Sequence, residues 1–215
     1  MSREPALRDL VGDTLAAEGL AGRLDSASGI FVFGSQAAGV ARGTSDIDIL
    51  AVGTGEDMKS PALDLVWVPE SRIESPQWLH SELGTHIAKY GVCLKGDSDW
   101  TKLAKVVPAT AERKWRRLRD VAVLLHDGSP IHPTVRGKYE TRARRELQRY
   151  ELLKQGEAVA PTPLLDSEWQ GDPDCRLRLL TLADQLGETD SALGQMIRNI
   201  LELPQIGRVS AGRVA

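Results

Sequence analysis

The chain has 215 residues, of which 41% are hydrophobic and 27% charged, and its net charge is −3. This composition is typical of a globular protein, and a chain of this length buries an adequate core without disulfide bonds. Cys93 and Cys175 lie far apart and have no partner at zinc-ligand spacing. No apolar run approaches the ~20 residues that cross a bilayer, and the acidic N-terminus does not resemble a signal peptide. These features exclude a secreted disulfide scaffold and a membrane protein, and we expect a cytoplasmic protein.

The charge is distributed unevenly along the chain. Residues 1–100 hold 8 Lys and Arg against 15 Asp and Glu, whereas residues 101–155 hold 14 against 6. Two functional surfaces, one for cations and one for anions, would explain this pattern. Well-solvated helices would explain it equally, so RNA binding by the basic segment 101–155 stays an open question.

The first hundred residues predict a sheet flanked by helices. Short apolar or alternating runs, typical of strands, cover residues 29–33, 46–52, 63–68 and 92–94. The first of these ends at a turn formed by Gly34 and Ser35. The spacing of apolar residues predicts helices over residues 5–24 and 79–90, and a helical turn is expected over residues 36–41.

The second half predicts helices only. Thr110 is expected to cap a helix that ends at Gly128, and a long helix is predicted from residue 132 to residue 154. That long helix carries a basic stripe, beside its apolar one, made of Lys138, Arg142, Arg145 and Arg149. Residues 156–174, rich in Pro and Gly, predict a loop, and two further helices are predicted over 175–186 and 191–203.

These elements together predict an α/β (α+β) protein. Residues 1–100 would form a catalytic domain with a small mixed β-sheet backed by helices. Residues 101–215 would form a helical domain, and the cleft between the two domains would hold the ligand.

Carboxylates cluster on the predicted strands. Asp46 and Asp48 alternate with isoleucine, so both project from one face of their strand, and Asp64 lies on the next strand. Carboxylates a few Å apart raise each other's pKa unless cations neutralise them, so the cluster indicates a divalent metal, most simply Mg²⁺ with Mn²⁺ as the alternative. Two ions ~3.5–4 Å apart would suit displacement at phosphorus. The Gly34–Ser35 turn would offer N–H groups and a hydroxyl to phosphates.

The run GSQAAGVARGTSDIDILAVG, residues 34–53, resembles the signature of the DNA polymerase beta-type nucleotidyltransferase superfamily, in particular that of its minimal prokaryotic members. The resemblance implies that Gly34 and Ser35 bind the triphosphate of an NTP. It also implies that Asp46 and Asp48 are catalytic metal ligands.

Three further residues receive roles from the same resemblance. Asp64 would complete the metal site and help to deprotonate the acceptor, and Arg42 and Ser45 would contact the nucleotide. Many minimal members have basic residues where this chain has Gln36 and Ala38, so a phosphate-binding charge must come from elsewhere or be absent. The candidates for it are Arg42, Lys89, Lys95, Lys138 and Arg142.

The activity implied by the resemblance is transfer of a nucleoside monophosphate, AMP by default, from Mg-NTP to an acceptor hydroxyl with release of pyrophosphate. RNA, a protein side chain and a small molecule such as an aminoglycoside are all open as acceptors. The alternative is a catalytically inactive nucleotide- or partner-binding module, such as an antitoxin-like protein. The sequence also leaves open the preferred NTP, homo-oligomerisation and the use of Glu140 or Glu146 as an additional general base.

Overall fold

The computed structural model describes residues 3–126 and 132–202. Its sheet has five strands in the order β3-β4-β2-β1-β5. In chain order the strands are β1 (Gly29–Phe33), β2 (Ile47–Val52), β3 (Met58–Lys59), β4 (Leu63–Val68) and β5 (Val92–Lys95). β2 pairs in parallel with β4, and the other pairs are antiparallel. The predicted mixed sheet is therefore confirmed, with the two-residue edge strand β3 as an unpredicted addition.

Successive side chains of the central strands point to opposite faces of the sheet, and both faces are apolar. Val32 and Ile49 belong to one buried cluster, which includes residues of the N-terminal helix, whereas Phe31 and Leu50 belong to a second cluster on the opposite face. The helices of this half are α1 (Glu4–Ala17), α2 (Gly34–Ala38), α3 (Glu70–Ile73), α4 (Pro76–Leu79), α5 (Glu82–Tyr90) and α6 (Trp100–Leu103). Burial on both faces explains why β2 becomes wholly apolar after its first residues.

The described part of the chain beyond residue 103 is helical wherever it is regular. Its helices are α7 (Pro108–His126), α8 (Pro133–Lys154), α9 (Thr162–Gly171), α10 (Pro173–Gly187) and α11 (Ser191–Glu202). Leu118, Leu147, Leu179 and Ile197 form the centre of a separate apolar cluster among these helices. The molecule is thus an α+β protein with a small sheet followed by helices, while a domain boundary at residue 100 stays a prediction.

Three sequence predictions need correction. The loop prediction for residues 156–174 is wrong, because α9 occupies Thr162–Gly171. Pro161 and Pro163 lie at the N-cap and in the first turn of α9, where the missing N–H is not needed, so they begin a helix instead of excluding one. The first helix ends at Ala17 and not at residue 24, because Gly19 follows with a left-handed φ of 72°.

Thr110 is the third correction. Helix α7 already begins at Pro108, so Thr110 lies inside the first turn. Its hydroxyl donates a hydrogen bond of 2.7 Å to the carbonyl of His80. The predicted helix end at Gly128 and the last residue of the predicted final helix, Leu203, lie outside the described residues.

In the ranges that the structure describes, no helix is both long enough and apolar enough to cross a membrane.

Candidate active site

The carboxylates predicted from the sequence lie at one end of the central parallel strand pair. Asp48 of β2 is directly opposite Asp64 of β4 in the parallel register, and Asp46 immediately precedes β2. Asp46 and Asp48 are two positions apart and lie on the same face. We call Asp46, Asp48 and Asp64 the carboxylate edge.

The predicted Gly34–Ser35 turn is the start of α2, and Gly34 brings it against this edge. Its φ is 68°, and a Cβ at this position would overlap Oδ2 of Asp48 and lie 2.9 Å from Asp48 Cγ. Only glycine fits both the left-handed conformation and this close approach without strain. The Gly-Ser turn and the Asp-Ile-Asp strand are therefore packed directly on each other, as the sequence motif predicts.

Burial and like charges act together on Asp48. Desolvation, followed by the charges of Asp46 and Asp64, raises the pKa of Asp48 from 3.8 to about 7, although Lys59 opposes the shift. Burial and the neighbouring negative charges both raise the free energy of the ionised form of Asp48, so the protonated form is favoured. A cation bound beside them would lower this free energy, and oxygen donors of this kind fit Mg²⁺ or Mn²⁺.

Asp64 has a protein partner. Its carboxylate forms an ion pair with Lys59, which is its register partner on β3. Among residues 3–126 and 132–202, no three His, Cys, Asp or Glu side chains are arranged closely enough to enclose a metal ion. Asp46 and Asp48 thus have the donor chemistry for a divalent cation, and the assignment of Asp64 as a third ligand stays a prediction.

A cavity of about 770 Å³ opens in front of the carboxylate edge. Gly34, Ser35, Asp46 and Asp48 line one side, whereas Asp64 is not part of its wall. This volume lies within the range of small-molecule sites, so the cavity is large enough for a ligand of nucleotide size. The opposite, helical side includes five basic residues from α7 and α8, which we call the cationic wall: Arg113, Lys114, Arg117, Arg145 and Arg149.

Lys114 lies at the base of the cationic wall. Its side chain is 2% exposed, and its ammonium group lies 2.7 Å from carboxylate oxygens of both Glu82 and Glu146. Burial raises the pKa of Glu146, but Lys114 and Arg149 more than offset this, so the pKa lies below its ordinary value. An ionised carboxylate held by two cations is a poor proton acceptor, which argues against Glu146 as an additional general base.

Helix α9 holds two arginines of the wall, Arg145 and Arg149, in place. Asp166 accepts hydrogen bonds from Arg145 at 2.9 and 2.6 Å and from Arg144 at 2.7 Å. Arg149 donates to Thr162 at 3.0 Å and to Glu146 at 2.7 Å, and its Nε is buried without a partner among the described residues. The segment that the sequence suggested as a loop is therefore the part that orients the guanidinium groups.

Polar contacts fix the helical half over the sheet half. The ring of His86 on α5 lies 2.7 Å from the carbonyl of Val159, and Lys89 forms an ion pair of 2.6 Å with Glu157. Arg113 donates to the carbonyl of His80 at 2.9 Å. Together with the buried Lys114–Glu82 pair, these contacts hold the cationic wall facing the carboxylate edge.

Of the remaining predicted residues, some line the cavity and others lie outside it. Arg42 and Ser45 line the cavity, and the Ser45 hydroxyl accepts a 2.9 Å hydrogen bond from the Arg42 backbone N–H, which closes their turn. Lys89 and Lys95 lie outside the cavity lining. Glu140 pairs with Arg136 instead of facing the cavity.

Sequence alone does not single out Arg113, Lys114 and Arg117. Successive turns of their helix, α7, carry basic residues, and such a pattern usually indicates a helix face exposed to solvent. The signal that distinguishes them is the burial of Lys114, which depends on tertiary contacts with Glu82 and Glu146.

Residues 19–96 match the family described as nucleotidyltransferase domain. This region is similar to nucleotidyltransferase domains. The match contains the Gly-Ser turn and the whole carboxylate edge, and it confirms the resemblance to the DNA polymerase beta-type superfamily. A comparison with curated proteins finds no match.

Among solved structures, one match is a chain from a crystal structure of a toxin-antitoxin with AMP-PNP. It is 17% identical, the alignment covers 55% of this chain and 95% of that chain, and the TM-score is 0.27.

Proposed function

We propose that this protein transfers a nucleoside monophosphate, AMP by default, from an NTP to an acceptor hydroxyl and releases pyrophosphate. One observation carries the proposal: the Gly34–Ser35 turn and the Asp46–Asp48 pair open onto a single cavity whose opposite wall is cationic. The nucleotidyltransferase domain that contains these residues supports nucleotide transfer in general.

The two sides of the cavity suit the two ends of an NTP. The triphosphate would lie along the Gly34–Ser35 turn, where the backbone approaches closely and the Ser35 hydroxyl is available. Arg42 and Arg113 would neutralise part of the phosphate charge from either side. These contacts leave the α-phosphate near Asp46 and Asp48.

Divalent ions bound by these aspartates, Mg²⁺ in the first instance, would supply charge neutralisation at the α-phosphate and the leaving pyrophosphate. Asp46 and Asp48 bind from one face of β2, and their fixed spacing orients whatever they hold. Asp64 would hold the acceptor's proton once Lys59 releases its carboxylate. The cationic wall would exclude bulk water from the back of the cavity.

The bond changes balance without a further reagent. The acceptor oxygen forms a bond to the α-phosphorus, and the bond from that phosphorus to the oxygen that bridges to the β-phosphate breaks. Pyrophosphate leaves with the electron pair, and the hydroxyl proton passes to a carboxylate. Positioning and charge stabilisation supply the catalysis.

The test is transfer from an α-labelled NTP, with Mg²⁺ or Mn²⁺, to the RNA, protein and small-molecule fractions of a cell lysate. We expect label in one fraction, and a loss of about a thousandfold or more in the double variant Asp46→Asn and Asp48→Asn. The control is Asp9→Asn with Asp13→Asn, an equal change of charge on the exposed face of α1. Transfer that survives in the first variant would refute the assignment of Asp46 and Asp48 as the catalytic pair. A wild-type protein that labels nothing would refute the transfer itself in favour of a binding module.

A further inference from the structure

The cationic surface extends beyond the cavity. A second cavity of about 630 Å³ adjoins the first, because Lys114, Arg117, Arg145 and Arg149 line both. Its additional lining includes Lys138 and Arg142 of α8. We call Arg117, Lys138 and Arg142 the outer row.

The outer row, which shares Arg117 with the cationic wall, differs in its partners from three other residues of that wall. Lys114, Arg145 and Arg149 are held by Glu82, Glu146 and Asp166, so most of their charge is neutralised. Among the residues that the structure describes, no carboxylate pairs with Arg117, Lys138 or Arg142, and all three are exposed. The lining of the second cavity has Asp120 as its one acid outside those ion pairs, within the described residues. The outer row is therefore a surplus of positive charge directed at solvent.

The spacing of this charge suits a chain of anions better than one compact anion. Lys138 and Arg142 are four residues apart on α8, which separates them by about 6 Å along the helix axis. Arg145 and Arg149 continue the same stripe towards the carboxylate edge. Under the proposed function the first cavity takes a single triphosphate, so a row of cations that leads away from it is free to bind the phosphates of a second molecule.

We propose that the outer row binds the phosphodiester backbone of a single-stranded nucleic acid and directs its terminal hydroxyl to the carboxylate edge as the nucleotide acceptor. This inference rests on the proposed nucleotide transfer. A polycationic acceptor is disfavoured, because the row would repel it. A duplex is disfavoured as well, because a cavity of about 770 Å³ admits a nucleotide and the end of one strand.

The experiment measures binding and transfer separately. A short fluorescent single-stranded RNA of mixed sequence and its DNA counterpart are titrated with wild-type protein at several salt concentrations. The same protein is then supplied with the RNA and an α-labelled NTP. The test variant is Lys138→Gln with Arg142→Gln. Arg117 is left unchanged because it also lines the first cavity. The matched control is Lys105→Gln with Arg176→Gln, which removes the same charge from exposed positions that line neither cavity.

We expect the test variant to bind the strand about tenfold or more weakly and to lower the slope of log affinity against log salt by about 1.4, at roughly 0.7 for each phosphate that the variant no longer neutralises. The control variant should match the wild type. RNA and DNA should bind alike through their backbones, and a preference for RNA would assign the acceptor to a strand with 2′-hydroxyls. A wild-type protein that binds neither strand, or equal binding by the test and control variants, would overturn the inference.

The two proposals fail differently. If the strand binds through the outer row but receives no label, the surface stands and the proposed transfer to that hydroxyl is wrong. If label appears only on protein or a small solute while neither strand binds, the transfer stands and the nucleic-acid surface is wrong.

Discussion

The carboxylate edge and the cationic wall face each other across one cavity, yet they are built in different ways. Backbone geometry fixes the edge: strand alternation aligns Asp46 with Asp48, and register places Asp64 beside them. Ion pairs between helices fix the wall, through Glu82, Glu146 and Asp166. The edge gathers like charges, whereas the wall gathers opposite ones. A short sequence motif therefore specifies the edge, but only the complete tertiary structure specifies the wall.

Removal of the central cation of the wall should have the largest effect on stability. The variant Lys114→Met leaves Glu82 and Glu146 partly buried without their shared ammonium group, and we expect a loss of about 3 kcal/mol in the free energy of unfolding. Urea denaturation measures it. Adding Glu146→Gln should recover at least about 1 kcal/mol, and a double variant no more stable than the single one would show that the wall does not depend on this pairing.

The edge should be sensitive to backbone substitution. The variant Gly34→Ala places a Cβ against Asp48 and forces a left-handed φ on alanine, so we expect a loss of about 2 kcal/mol together with reduced nucleotide transfer. The control is Gly137→Ala in α8, where a Cβ meets no described atom within 4 Å. That control should be stabilised by up to about 1 kcal/mol. Equal denaturation midpoints for the two variants would contradict the close packing of turn and strand.

The ion pairs between α8 and α9 at Asp166 should contribute less to the free energy of unfolding. The variant Asp166→Asn weakens the hydrogen bonds of Arg144 and Arg145, with an expected loss of about 1–2 kcal/mol at neutral pH. Burial raises the pKa of Asp166, but both arginines more than offset this, so it lies below the ordinary 3.8. The stabilisation is therefore complete above about pH 3.8 and is lost as the pH falls through the lower folded-state pKa. A difference between wild type and variant that stays constant down to the most acidic pH would refute this origin.

The smallest expected effect on stability comes from His86, which contacts Val159 where the helical half meets the sheet half. Burial lowers the pKa of His86 below 6.5, against the opposing influence of the Val159 carbonyl and Glu82. The unfolded chain then takes up the proton first, so stability should fall as the pH drops below about 6.5 towards the folded-state pKa. His86→Asn keeps a group that can donate to Val159 and should remove this part of the pH dependence. Superimposable pH profiles for the two proteins would rule out the buried ring as its source.

Much of the first half could be predicted from sequence, for identifiable reasons. The strand with Asp46 and Asp48 has a period of two, and Gly34 with Ser35 marks a turn, so local rules suffice. The strand that carries Asp64 is predicted equally well, but the ion pair of Asp64 with Lys59 requires knowledge of the edge strand β3, whose two residues give no periodic signal.

The second half shows where local rules fail. Prolines 161 and 163 are consistent with both a loop and a helix start, and the pairing of Arg145 with Asp166 decides between them only in the folded chain. Likewise, Lys114 is indistinguishable in sequence from the exposed basic residues around it. Its burial depends on Glu82 of α5 and Glu146 of α8, each of which is 32 residues away along the chain.

The parallel register of β2 with β4 has a consequence for how this protein tolerates insertions. The connection between these strands, residues 53–62, contains β3. Its loops on either side of β3 can lengthen without disturbing the site, because strand pairing and not loop length aligns Asp48 with Asp64. One residue inserted between Asp46 and Asp48 would instead turn one carboxylate to the opposite side of the sheet, into a layer of aliphatic side chains. Homologues should therefore vary in the length of that connection and keep the three-residue acid-apolar-acid spacing unchanged.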